Sequence, residues 1–215
     1  MIRVSLTERP IIHLGFLKFS LSLFKNSPME KHRCGWCAGD EQYEVYHDQE
    51  WGVPVKDDDT LFEFLLLESF QAGLSWITIL RKRENFKNAF DNYDYRKIAT
   101  YSQEKKDELQ QNAGIIRNKL KINATVGNAQ AFMKVQEEFG SFSNYIWGFV
   151  NHQPIKNSVE NYKHAPATTT ISDAISKDLK KRGFKFVGST IVYAFMQAVG
   201  MVNDHETSCF RYNEV

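Results

Sequence analysis

The chain has 215 residues, 42% of them hydrophobic and 25% charged, with a formal net charge of +1 at pH 7. That length suits one large globular domain or two small lobes with a sizeable core. The near-neutral charge excludes a uniformly basic nucleic-acid binder, so any such contact must come from local patches. Three cysteines, Cys34, Cys37 and Cys209, are too few and odd in number for a disulfide framework, and point to reduced or metal-bound thiols. No run approaches the ~20 apolar residues of a membrane span.

Residues 1–28 stand apart. Ile11 to Phe24 is apolar-rich but broken by His13 and Lys18, with no small-x-small cleavage pattern after it. Met29-Glu30-Lys31 opens a different texture. We expect residues 1–28 to be a dispensable extension and residues 29–215 to form the functional domain.

From there helical periodicity dominates and strand-like alternation is scarce, so the chain reads as all-α. Asp40 to Glu50 is a short helix carrying Tyr43, Tyr46 and His47. Asp58 or Asp59 caps the next, with Leu61, Phe62, Leu65 and Leu66 on its apolar face. Gly73 breaks it. Ser75 caps a helix from Trp76 to about Phe90. Ser102 caps a polar helix through Gln110, and a long helix follows from about Ile116 to Phe139. Ser141 or Ser143 starts another through Phe149. Asn151 to Thr170 is mostly loop, with Pro154 and Pro166 as breakers. Ser172 caps a basic helix to Arg182, and Ser189 or Thr190 caps the last apolar helix, ending at Gly200.

Potential metal ligands gather at the two ends of this region: Cys34, Cys37 and His47 in front, His205 and Cys209 behind. His205 and Cys209 lie one helical turn apart. On spacing alone, Cys34, Cys37, His205 and Cys209 make the default tetrahedral set. Idle buried thiols are the competing reading.

The run Arg33-Cys34-Gly35-Trp36, with Tyr46-His47-Asp48 and Glu50-Trp51-Gly52-Val53-Pro54, resembles the opening of the 3-methyladenine DNA glycosylase I family. The resemblance continues through Gln71-Ala72-Gly73-Leu74-Ser75-Trp76-Ile77-Thr78, Ala113-Gly114-Ile115-Ile116-Arg117-Asn118 and Phe149-Val150-Asn151-His152-Gln153-Pro154. It extends over Ser176 to Gly188 and closes on Val202-Asn203-Asp204-His205, covering about Met29 to Cys209. It implies a helix-hairpin-helix glycosylase fold and a cytoplasmic monomer. The implied activity is excision of 3-methyladenine from double-stranded DNA by hydrolysis, without strand-cleaving lyase chemistry.

Carried over residue by residue, the resemblance implies one structural zinc ion on Cys34, His47, His205 and Cys209, with His47 replacing Cys37. Cys37 lies near enough in sequence to compete with His47. Glu68 would read the flipped base, with Trp76 stacking on it and Tyr46 lining the pocket. Trp36 and Trp51 are further pocket candidates, and Trp51 could instead pack under the metal site. A cationic methylated base suits a buried carboxylate and aromatic faces. It also leaves readily, so no strong general acid is needed. Asp173 and Asp204 read as a helix N-terminal charge and a loop residue rather than as that acid. Leu74 is the candidate wedge for the vacated stack. Gly114 and Arg117 belong to a candidate phosphate-binding hairpin. Lys185, at the end of the basic stretch from Lys177, is a further candidate phosphate contact.

Overall fold

The computed structural model describes residues 31–215. The expectation for residues 1–28 lies outside the described residues. Among the described residues ten α-helices carry the fold: α1 Glu41–Gln49, α2 Asp58–Gln71, α3 Trp76–Leu80, α4 Arg83–Ala89, α5 Tyr95–Ile98, α6 Gln103–Gln111, α7 Lys119–Phe139, α8 Phe142–Gly148, α9 Thr170–Lys181 and α10 Ser189–Ala198. Two short strands, β1 Ile155–Lys156 and β2 Val202–Asn203, pair in parallel, Ile155 beside Val202. No helix among the described residues is long and apolar enough to cross a membrane.

α2 is the central helix. Its residues from Leu61 to Phe70 are buried almost without interruption, and it packs against α10, α7, α3 and α8. A helix apolar on every side belongs inside a bundle. Around it, Phe62, Tyr95, Phe132 and Phe142 interlock, with Phe62 and Phe132 5.2 Å apart edge to face and Phe132 and Phe142 4.2 Å apart stacked. Asp58, at the start of α2, accepts the Phe142 and Ser143 N–H groups at 2.9 and 2.7 Å. It thereby caps α8, as an acidic group does at an N-terminus whose first donors lack helical partners.

Several boundaries differ from the sequence reading for local reasons. Asp57, not Asp58 or Asp59, caps α2 through the Thr60 N–H. Asn118 caps α7, so the helix begins at Lys119 rather than near Ile116. Thr169 caps α9, and Ser172 is its partner in a reciprocal capping box. Gly188, whose backbone is extended, precedes α10. The single helix expected from Trp76 to Phe90 is two, parted at Arg81 and Lys82. There Lys82 turns aside to donate to the Ala113 and Gly114 carbonyls at 3.2 Å each, while Arg83 spans Glu50 and Glu63.

The last described segment folds back onto the first. Gly52 N–H donates to Gln197 O and Val55 N–H to Val199 O. Gly200 permits this contact: its φ is +68°, and a Cβ there would lie 2.5 Å from Pro54 N. Only glycine combines a left-handed backbone with so close an approach.

Candidate active site and metal centre

α1 is nine residues long, and its two faces serve two sites. His47 and Tyr46 are adjacent and both buried, His47 directed to a cysteine–histidine cluster and Tyr46 to a neighbouring cavity.

In the cluster, ligand atoms of Cys34, His47, His205 and Cys209 all lie within 4.8 Å of one another. Cys34 Sγ is 3.5 Å from His205 Nδ1, and Cys209 Sγ is 3.4 Å from His47 Nε2 and 3.7 Å from His205 Nδ1. A tetrahedral ion with bonds of about 2.3 Å to sulfur and about 2.0–2.1 Å to nitrogen would hold S and N atoms about 3.5 Å apart. The spacing therefore fits a metal at the centre. The outer atoms fit it too. His47 Nδ1 donates to Asp48 Oδ1 at 2.8 Å, and His205 Nε2 donates to the Trp51 carbonyl at 3.1 Å. Each bond fixes the tautomer that leaves the other ring nitrogen free to ligate, the usual second layer of a metal site. Cys37 stands outside the cluster, its thiol donating to the Cys34 carbonyl.

Cys34 and His205 are 171 positions apart, so the cluster closes nearly the whole described chain into one loop. Four protein ligands leave no open position for a reacting water.

Beside the cluster is a cavity of about 250 Å³, lined by Trp36, Tyr43, Tyr46, Trp51, Glu68 and Trp76 together with Gln71, Tyr162, Ala165, Ala194, Gln197 and Asp204. The rings of Tyr46 and Trp76 are 5.5 Å apart, and Trp36 lies edge-on to Tyr43 at 4.8 Å and to Trp51 at 5.0 Å. Trp51 serves both sites, since it also meets His205 edge-on at 4.6 Å.

Glu68 enters from α2 and is 3% exposed, with Oε2 buried and without a hydrogen-bond partner among the described residues. The indole Nε1 atoms of Trp36 and Trp76 are unpartnered in the same way. Buried polar atoms are nearly always satisfied, so three orphans on the walls of one cavity mark a ligand site. Burial pushes the Glu68 pKa up to about 8. Burial and the nearby Glu68 together hold Tyr46 well above the ordinary phenol range, and they push Tyr43 up to about 12. Such a pocket suits a flat aromatic guest with donors along one edge and a positive charge.

Asp204 is a loop residue, but a buried one on the cavity wall. It accepts from Tyr193 Oη, Gln197 Nε2 and Asn157 Nδ2 at 2.7 Å each. Asp173 sits in the first turn of α9. Tyr43, three residues before Tyr46 on the same helix face, had a periodic signal. Tyr162, Ala165, Ala194 and Gln197 had none.

Leu74 is 40% exposed at the tip of the turn before Trp76. In the connection between α6 and α7, the Gly114 N–H donates to Asn112 Oδ1 and the Ile115 N–H to Asn112 O, so both are turned inward. Gly114 packs against Asn85, which a Cβ would approach to 3.1 Å. Arg117 and Lys185 are exposed.

The model of the methyladenine glycosylase family matches residues 36–212. This chain is a member of that family. It is 51% identical over 180 residues to DNA-3-methyladenine glycosylase 1 of Escherichia coli, covering 84% of this chain and 96% of that protein. With DNA-3-methyladenine glycosylase of Haemophilus influenzae it shares 48% identity over 177 residues, 82% of this chain and 96% of that one. A crystal structure of 3-methyladenine DNA glycosylase I superposes with a TM-score of 0.81 at 49% identity, over 83% of this chain and 98% of the other. A 3-methyladenine DNA glycosylase I from Staphylococcus aureus, solved to explain 3-methyladenine recognition, gives a TM-score of 0.80 at 36% identity, over 83% and 95%.

Proposed function

We propose that this enzyme excises 3-methyladenine from double-stranded DNA by hydrolysis, leaving an abasic site. The observation that carries the reading is the orphaned, buried carboxyl of Glu68 between Tyr46 and Trp76. A target inside a duplex must rotate out of the stack to reach such a cavity. Methylation at N3 makes adenine a cation. Tyr46 and Trp76 receive its faces; the positive charge of the base draws the Glu68 pKa back down, so that the carboxyl ionises, accepts the exocyclic amine and balances the charge. Ordinary adenine, being neutral, gains less from both.

The same charge drives the chemistry. Water attacks the anomeric carbon, the carbon–nitrogen bond breaks, and its electron pair neutralises the departing base. The proton released comes from the water, and the base leaves without needing one. Neither a strong general acid nor a lysine nucleophile enters this scheme, so strand cleavage is not expected. Trp36 and Trp51 complete the pocket wall and Leu74 fills the vacated stack; Arg117 and Lys185 approach the backbone, with Gly114, whose own N–H is taken by Asn112, shaping the hairpin that presents Arg117. Cys34, His47, His205 and Cys209 hold one structural zinc ion, which fixes the fold around the pocket. The enzyme acts as a monomer in the cytoplasm.

The test is release of free 3-methyladenine from alkylated duplex DNA. Wild type should release it and E68Q should be slower by roughly 10–100-fold, the worth of a charge-assisted hydrogen bond of about 1.5–3 kcal/mol. Undiminished turnover by E68Q rejects the role of Glu68, and binding without base release rejects the enzyme reading.

A further inference from the structure

α2 ends against a buried cation. Lys121, in the first turn of α7, is 5% exposed, and its ammonium donates to the carbonyls of Phe70 and Ala72 at 2.7 Å each. The last carbonyls of a helix lack intrahelical donors, and at an exposed end water supplies them. Here a desolvated lysine does so, and it meets the negative end of the helix dipole. Burial lowers its pKa, so the placement is unfavourable for the charge itself.

What this fixes is the turn that follows. Ala72 is the C-cap of α2, Gly73 turns left-handed at φ +84°, and Leu74 N–H closes on Gln71 O at 2.6 Å. Leu74 projects from the tip, 40% exposed, and Trp76 re-enters the cavity two residues on. An apolar tip is thus held out to solvent by a charged group held in.

Two helical turns further along the same face of α7, Asn128 does a parallel task. It is 3% exposed, accepts the Lys185 N–H at 2.8 Å and donates to the Lys185 carbonyl at 3.0 Å. The next residue, Phe186, has φ +57°, and its ring lies 5.9 Å from Lys121 Nζ. One face of α7 therefore grips both the turn bearing Leu74 and the loop bearing Lys185.

We propose that Lys121 is a positioning residue for duplex DNA, holding the 72–75 turn so that Leu74 enters the base stack beside the emptied position. Asn128 sets the Lys185 loop in the same frame. The inference rests on the glycosylase reading above. Lys121 acts through the turn and has no part in holding the base, so its loss should be felt only where a stack must be opened.

Wild type and K121M, as full chains, are compared on a 3-methyladenine duplex, on the same strand alone, and in binding free 3-methyladenine by tryptophan fluorescence. We expect kcat/KM on duplex to fall roughly tenfold or more while single-strand excision and free-base affinity stay within about twofold, because only the duplex needs a wedge. In the double variant with L74A the losses on duplex should not add, since both remove one device. Equal losses on both substrates, no loss on duplex, or additivity with L74A overturns the proposal. K121Q provides the same comparison where methionine at that depth prevents folding. Wild type that releases base from neither substrate refutes the glycosylase reading instead.

Discussion

Replacing Glu68 by glutamine removes a charge that the fold resists, and the effect on stability follows from the burial. The acid is 3% exposed, and its pKa rises from the ordinary 4.5 to about 8. In the unfolded chain it ionises near the ordinary value. Between those two pH values the unfolded state releases a proton that the native state keeps. The penalty on folding is therefore absent below the lower value, grows through the window, and is constant above the upper one. At about 1.36 kcal/mol per pH unit it reaches about 3 kcal/mol at pH 7 and about 5 kcal/mol at the plateau. E68Q has nearly the same volume and does not titrate. Its stability relative to wild type should rise by about 5 kcal/mol between about pH 4 and pH 9, read from urea midpoints at constant ionic strength. Parallel curves through that window refute the picture of a carboxyl buried without a protein partner.

Three further outcomes are expected. Dialysis against a strong chelator should lower the melting temperature and zinc should restore it; C209S should lose the bound metal, whereas C37S should keep one ion per chain by atomic absorption, and the reverse result puts Cys37 in the cluster. G200A places a methyl group against the Val53–Pro54 peptide at a positive φ, which should destabilise by about 2–5 kcal/mol, and an unchanged melting temperature contradicts that packing. R117A and K185A should each weaken binding to any duplex and reduce the dependence of log K on log salt by about 1, while a variant with an unaltered slope carries no phosphate contact.

Elements whose signals are local are legible in the sequence. Ser102 and Ser141 cap the helices expected of them, through the Lys105 and Asn144 N–H groups. Features decided by distant partners are not so legible. Nothing between Trp76 and Phe90 breaks a helix by composition; the break comes from Lys82 reaching the Ala113 and Gly114 carbonyls. α5 is a four-residue helix begun by Asp94, too short for a periodic signal, and the pairing of Ile155 with Val202 joins strands of two residues. At the site, the residue types and the family resemblance pointed to Glu68, Tyr46, Trp76, Trp36 and Trp51, which share one cavity. They also gave the cysteine–histidine quartet, where spacing alone preferred Cys37. His47 wins because α1 turns it inward while Cys37 bonds to a neighbouring main-chain carbonyl. Tyr162 has no periodic signal because it comes to the cavity from a single 3-10 turn, Tyr162–His164, held by its N–H to Glu206 Oε1.

The closure of late segments onto the first described ones has a consequence for synthesis on the ribosome. Trp36 and Tyr46 are made early, but the pocket wall also needs Ala194, Gln197 and Asp204, and the cysteine–histidine cluster needs Cys209. A nascent chain can assemble its helices yet has no finished pocket until its final stretch leaves the exit tunnel. Contacts of such long sequence separation form late and slowly.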